Sequence, residues 1–220
     1  MSEDILSKRQ IEILVQMGRN PFLSKTFYLT GGTALAAFYL QHRYSEDLDF
    51  FSEQEFDVLG IDIFFKQLKD KLGIKSIDFQ QNLNRNLFFL NFGGEVVKTE
   101  FTFFPFPRIE TGKKEYGLRV ESLKDIAVNK LFTIYQRIKA RDYIDLFLIC
   151  KDKGFSVTEL VKLAKAKFDW HIDPIQLAGQ FVKARNAEDY PRMIQALDNE
   201  AWQNFFEEEA KKLKPEILTT

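Results

Sequence analysis

Cysteine is nearly absent from this 220-residue chain, and the single Cys150 cannot form an internal disulfide. Histidine is almost as scarce. His42 and His171 are isolated from one another, and without a second cysteine they exclude a zinc site of the usual Cys and His ligands. No apolar run reaches the length of a membrane-spanning helix. The first ten residues, MSEDILSKRQ, lack the apolar stretch of a signal peptide. Together these absences predict a soluble, cytoplasmic protein with no membrane partner. Charge of one sign is lacking too: the net value is −1, which excludes a general polyanion binder. The first 110 residues carry 12 basic and 15 acidic side chains and the remainder 19 and 17. Any RNA contact is therefore expected in the second half.

What the chain does have is apolar bulk. Hydrophobic residues make up 45%, enough for a packed core and against disorder. Phe is over-used, with 23 copies lying mostly in strand-like runs, as suits a half-buried sheet. Cys150 follows the run Leu146-Phe147-Leu148-Ile149 and reads as a core thiol.

Taken in order, residues 3–18 show helical periodicity that stops at Asn20-Pro21. Residues 52–57 read as a polar loop. Ile61, Phe64, Phe65, Leu68 and Leu72 predict a helix, capped by Gly73. Strands are expected at 74–80, 85–92 and 95–104, with Gly93-Gly94 turning the last pair. Residues 105–118 read as an exposed loop. From Ser122 onward the pattern is helical, with Ser122 to Asp125 resembling a cap and helices expected over 122–139, 141–153, 157–168, 174–187, 190–199 and 201–213. The expected class is α+β: a mixed sheet with flanking helices over 1–120, then a helical bundle over 121–220, with a nucleotide cleft completed by the second domain.

The stretch Thr30 to Phe51, TGGTALAAFYLQHRYSEDLDFF, carries the chemistry. An apolar strand runs into Gly31-Gly32 and then a helical pattern from Thr33 to about Leu40. A glycine pair between strand and helix lets backbone N–H groups approach a phosphate at the positive end of the helix dipole. Asp47 and Asp49 are two apart on an expected strand, so both carboxylates share a face, an arrangement suited to hard divalent cations.

Gly31, Gly32, Thr33, Ala34 and Leu35, then His42-Arg43, Ser45 and Asp47-Leu48-Asp49-Phe50-Phe51, resemble the AbiEii/AbiGii-type nucleotidyltransferase toxin family, a branch of the polymerase-beta-like nucleotidyltransferase superfamily. Thr33 stands where the wider superfamily has Ser, and Gly-Gly-Thr is the form this branch commonly shows. The segment Ser122 to Leu131, with Arg137 and Arg141-Asp142-Tyr143-Ile144-Asp145-Leu146, is similar to the family as well.

The resemblance implies transfer of a nucleotide from a nucleoside triphosphate to an acceptor, with release of pyrophosphate and dependence on Mg²⁺ or Mn²⁺. It implies Asp47, Asp49 and Glu100 as metal ligands, Gly31, Gly32 and Thr33 at the phosphates, and Lys130 on the triphosphate. Glu100 lies inside the apolar run Val97 to Thr102, where an acid needs a partner or a metal; its other reading is solvent exposure or pairing with Lys98. Arg43 suits a phosphate contact, or else pairs with Glu46. Ser45 suits a phosphate ligand, or else folds back on its own loop. Asp142 and Asp145 share a helix face and either hold Lys130, orient the acceptor, or form an ion-pair network with Arg137, Lys139 and Arg141. Lys162, Lys165 and Lys167, near Phe168 and Trp170, read as a charged helix face with core aromatics rather than an RNA surface.

Family members often act as toxins with a cognate antitoxin, and some modify tRNA. Two other readings remain at this level: the same chemistry on a small-molecule or protein acceptor, and a non-catalytic nucleotide- or partner-binding module.

Overall fold

The computed structural model describes residues 5–214. The expected first helix began at residue 3, so its first two residues lie outside the described ones. The chain forms two compact units. One holds the residues up to Tyr39, Tyr44–Pro107 and Thr111–Ser122; the other holds Leu40–Arg43, Arg108–Glu110 and the chain from Leu123 onward. Two short segments thus leave the first half of the sequence and join the second unit, where a division at residue 120 would not place them.

In the first unit, α1 (Lys8–Arg19) starts at a capping box, with Gln10 N–H donating to the Ser7 hydroxyl and Ser7 N–H donating to Gln10 Oε1 at 2.7 Å. Asn20 ends it and caps α2 (Pro21–Thr26), whose first residue is the proline a helix tolerates there. Next come β1 (Tyr28–Thr30) and α3 (Gly31–Leu35), which continues as a π-helical turn over Ala36–Leu40. β2 (Leu48–Ser52) follows, then α4 (Val58–Leu72), ended by left-handed Gly73. β3 (Ser76–Asn82), β4 (Arg85–Asn91) and β5 (Val96–Phe103) form an antiparallel meander.

The expected loop over 105–118 is corrected by the structure. It contains β6 (Lys113–Glu115) and leads into β7 (Leu118–Val120), joined by Tyr116-Gly117 with both φ positive. That is the turn a two-residue hairpin requires. Strands of three residues are too short to show an alternating pattern, which is why the sequence conceals them.

The seven-stranded mixed sheet has the order β3-β4-β5-β2-β1-β7-β6. β2 runs parallel to β5, and β1 parallel to β7. Alternation along the strands sorts the two faces. Leu48, Phe50, Phe88, Leu90, Val97 and Phe101 are buried on one of them. There Phe101 meets Phe27 and Phe50 at 5.1 Å between ring centroids, and Phe65 of α4 meets Phe88 at 5.3 Å. This cluster accounts for part of the phenylalanine excess. The other face carries Asp49, Glu100 and their neighbours.

The second unit is helical: α5 (Leu123–Gln136), α6 (Ala140–Lys153), α7 (Val157–Phe168), α8 (Pro174–Val182) with a 3₁₀ extension over Lys183–Asn186, and α9 (Asn199–Lys212). Phe132 stacks on Phe168 at 4.0 Å, while Tyr143, Phe181, Trp202 and Phe206 form the other apolar cluster. The helix expected over 190–199 is absent. Pro191 removes a donor, and the segment pairs instead with backbone: Met193 bridges Arg43, and Ile194 N–H donates to the His42 carbonyl at 2.9 Å. Buried Asp125 accepts from the backbone N–H of Ile109 at 2.8 Å and Glu110 at 3.0 Å, and from Lys167 at 2.8 Å. That carboxylate explains why Arg108–Glu110 belongs to the helical unit, and it places Lys167 in the core rather than on a charged face.

Candidate active site

The face of the sheet opposite the phenylalanine core collects the carboxylates. Across the register Thr30 faces Asp49, Asp49 faces Glu100, and Glu100 faces Leu87. Side chains on adjacent strands at one register point to the same side, so Asp49 and Glu100 are neighbours there. Asp47 stands two residues before Asp49, immediately ahead of β2.

Gly31 lies against this row. Its φ is +73°, and a Cβ on it would sit 2.4 Å from Asp49 Oδ2. Glycine is required both for the turn and for room beside the Asp49 carboxylate. Thr33 is buried, and its Oγ1 hydrogen-bonds Ser45 Oγ at 2.8 Å and the Asp47 carbonyl. Gln10 donates to the Glu46 carbonyl at 2.8 Å. These bonds fix the loop that delivers Asp47 and engage the Ser45 hydroxyl within the loop itself.

Two cations meet the carboxylates. Arg85 of β4 forks onto Glu100, with Nε to Oε1 at 2.6 Å and Nη2 to Oε2 at 2.5 Å. Lys98 of β5 donates to Asp47 Oδ2 at 2.5 Å rather than to Glu100. Thr102 also donates to Glu100, at 3.0 Å. Burial pushes the Glu100 carboxyl up, but the bonds and charge of Arg85, helped by Thr102 and Lys98, hold it below the usual range. The Arg85 guanidinium is raised by its bonds to Glu100 against the lowering effect of burial, with the charges of Glu100, Asp49 and Asp47 adding to the rise. Arg85 therefore senses all three acids.

A buried ion network occupies the helical unit. Asp145 accepts from His42 Nε2 at 2.7 Å, from Arg43 Nε at 2.7 Å and from Arg43 Nη2 at 2.8 Å. Lys130 Nζ lies 2.7 Å from both Asp142 and Asp145, and Arg137 reaches Asp142 at 3.2 Å. Burial lowers the Lys130 ammonium, and the charges of Asp145 and Asp142 more than restore it, leaving it above its ordinary value. Burial pushes Asp145 up, and Lys130, Arg43 and the bond from His42 hold it well below the ordinary range. Lys139 and Arg141 lie outside this network, nearest Asp189 at 3.3 and 3.9 Å.

A family model for the nucleotidyl transferase AbiEii toxin of type IV toxin–antitoxin systems matches residues 12–217. The chain belongs to the AbiEii family. An uncharacterized protein of Aquifex aeolicus (strain VF5) is 33% identical over 165 residues, which is 73% of either chain. In fold the AbiEii chain is similar to JHP933 from Helicobacter pylori (TM-score 0.61, 22% identity, covering 100% of this chain and 95% of that one). It is equally similar to a putative nucleotidyltransferase from H. pylori (TM-score 0.61, 21% identity, covering 100% and 98%). The chain thus carries a nucleotidyltransferase toxin-type domain. No helix among the described residues is long and apolar enough to cross a membrane.

The AbiEii assignment sets the expected residues in two groups, each within its own unit. Gly31, Thr33, Ser45, Asp47, Asp49 and Glu100 belong to the sheet unit; Arg43, Lys130, Asp142 and Asp145 belong to the helical one. The Arg43 fork is engaged by Asp145 rather than by Glu46. Among the described residues no three His, Cys, Asp or Glu side chains converge closely enough to hold a metal. The donor chemistry nevertheless suits a hard dication, since Asp47, Asp49 and Glu100 are oxygen donors on one face, while Arg85 and Lys98 occupy the Glu100 and Asp47 oxygens in this structure.

Sequence reasoning missed Arg85, whose only signal was its parity with Leu87 on β4. It also missed Glu121, fully buried, which accepts from the Thr30 hydroxyl and whose carbonyl accepts from Tyr39 at 2.7 Å. Glu121 directly follows β7, a strand too short to announce itself, so no local signal marked it as buried.

Proposed function

We propose that this chain is a metal-dependent nucleotidyltransferase that moves a nucleotide from a nucleoside triphosphate to an acceptor, with tRNA as the acceptor and a cognate antitoxin as its partner. The observation that carries this reading is the in-register row of Asp49 and Glu100 on parallel neighbours, with Asp47 on the same side and Gly31 packed against Asp49. Asp47, Asp49 and Glu100 would hold Mg²⁺ or Mn²⁺. Bound there, such ions supply Lewis acidity to the attacking and leaving oxygens.

The chain's own groups do the positioning. Gly31, Gly32 and Thr33 offer backbone N–H groups at the start of α3 to the phosphates. Thr33 and Ser45 hold the loop that sets Asp47, so their hydroxyls act on the site through that loop. Lys130 is the cation assigned to the triphosphate. Asp142 and Asp145 each lie 2.7 Å from its Nζ and fix its orientation. Arg43 supports the same aspartate. The toxin role and the antitoxin rest on family membership.

The test incubates the protein with Mg²⁺, each α-labelled nucleoside triphosphate in turn and total tRNA. Label is expected on the RNA with wild type and is expected to vanish with Asp49→Asn. Triphosphate bound in a metal-dependent way without labelled RNA would move the acceptor to a small molecule or a protein. No binding at all would overturn the enzyme reading.

A further inference from the structure

Arg85 and Lys98 form ion pairs with two carboxylates of the proposed metal set. The Arg85 guanidinium covers both oxygens of Glu100, and the Lys98 ammonium lies on Oδ2 of Asp47. A carboxylate oxygen held at 2.5 to 2.6 Å by a cationic donor offers the same lone pairs that a dication needs. The two occupants therefore compete. Arg85 is half exposed and Lys98 a quarter exposed, so neither is locked by packing and each has solvent to swing into. Long cationic side chains on a strand face reach several ångströms from their backbone, and on leaving a carboxylate they carry their charge with them.

We infer that Arg85 and Lys98 are an exchangeable latch: they neutralise Glu100 and Asp47 until metal and triphosphate arrive together, then release the carboxylates to the metal and transfer to the phosphate oxygens. A triphosphate brings the negative charge that the released cations need. The guanidinium fork of Arg85 matches two phosphate oxygens as well as it matches Glu100. The exchange couples the two ligands: metal alone must displace two cations with nowhere favourable to send them, whereas metal with nucleotide displaces them onto a new partner. The site is thereby biased toward the metal–nucleotide complex over the free ion. This inference rests on the metal-dependent reading given above.

The test measures Mn²⁺ binding to the full chain by electron paramagnetic resonance of the free ion, without nucleotide, in wild type, Arg85→Gln, Lys98→Gln and the double variant. Each single variant is expected to bind Mn²⁺ more tightly than wild type, by roughly three- to tenfold, and the double variant more tightly still. At saturating Mn²⁺ the same variants are expected to bind α-labelled triphosphate more weakly. Arg85→Lys, which keeps the charge, is expected to return Mn²⁺ affinity toward wild type. The opposite signs separate the latch from a structural role, since simple damage to the sheet would weaken both ligands. Equal or weaker Mn²⁺ binding in every variant, with wild type binding the ion, overturns the latch and leaves the metal-dependent reading intact. No Mn²⁺ binding in wild type and in the double variant overturns both.

Discussion

The two units solve one problem, a cation beside a carboxylate, in opposite ways. On the sheet, Glu100 is buried but its partner Arg85 is 48% exposed, and both Asp47 and Lys98 reach solvent. Among the helices, Asp145, Asp142 and Arg43 are all 4% exposed or less, and Lys130 is close behind. Water screens the first set and makes each pair worth little, so its members can change partners. The second set sits where an unmatched charge is intolerable, and every removal exposes another. Exchangeable pairs suit groups that must meet a ligand; locked pairs suit groups that must keep one orientation. The same residue types thus carry different information, and burial decides which.

The sharpest way to break that contrast is Asp145→Asn. Asparagine keeps the shape but leaves Arg43 and Lys130 facing one carboxylate fewer in a dry interior. The expected loss of folding stability is about 3–5 kcal/mol, read from urea denaturation at neutral pH. A pH series tests the cause. Asp145 and Asp142 are held below their ordinary value of 3.8 in the folded protein. A lowered folded value stabilises above the unfolded one, and that contribution is lost as pH falls through the folded value. Wild type should hold its urea midpoint down to about pH 4 and then lose it steeply, and Asp145→Asn should flatten that acid limb. Lys130, raised above 10.5, acts in the opposite direction. Its contribution is complete below 10.5 and is lost only as pH climbs through its folded value. A variant with a neutral-pH loss under about 1 kcal/mol would place the network among the screened pairs.

What was legible in the sequence follows from distance along the chain. Gly31, Asp47 and Asp49 lie within one strand–helix–strand passage, so spacing alone brings them to one place. Cys150 was legible as a core thiol, and burial pushes it up to about 12. Gly73 and Asn20 end their helices where local rules put the stops. The partners were not legible. Lys98 shares a strand face with Glu100 and was the obvious mate, yet Arg85 reaches Glu100 because the β4–β5 register sets it opposite Thr102, two pairs along and on the same face. Asp125 and Lys167 are 42 residues apart, and nothing local announces their contact. Residues 190–199 have enough apolar side chains to suggest a helix, and the distant backbone of His42 and Arg43 gives them a better partner. Elements were readable where local terms decide them, and pairings unreadable where register or long-range packing does.

A pair of glycines sharpens the comparison next. Gly31 in the sheet unit and Gly154 in the helical unit have the same φ of +73°, but an added Cβ meets the Asp49 carboxylate at Gly31 and nothing within 4 Å at Gly154. Gly154→Ala should cost only the left-handed strain, about 1–2 kcal/mol in urea denaturation. Gly31→Ala should cost that and also displace Asp49, so its nucleotidyl transfer should fall far more than Gly154→Ala at matched stability. Equal losses of transfer in the two variants would show that Gly31 serves the turn alone.

The smallest expected effect is the stability change in Arg85→Gln. The Arg85–Glu100 pair has fork geometry and short bonds, features that on a contact list would rank it with Asp145. Its guanidinium nevertheless stands half in water, and Thr102 still donates to the Glu100 carboxylate after the substitution. The urea midpoint should move by no more than about 1 kcal/mol equivalent, and less in high salt, where screening has already weakened the pair. A loss approaching that of Asp145→Asn would mean that Glu100 cannot tolerate even brief separation from its cation. Arg85 would then be a fixed strut of the sheet, and the distinction between exchangeable and locked pairs would not hold in this fold.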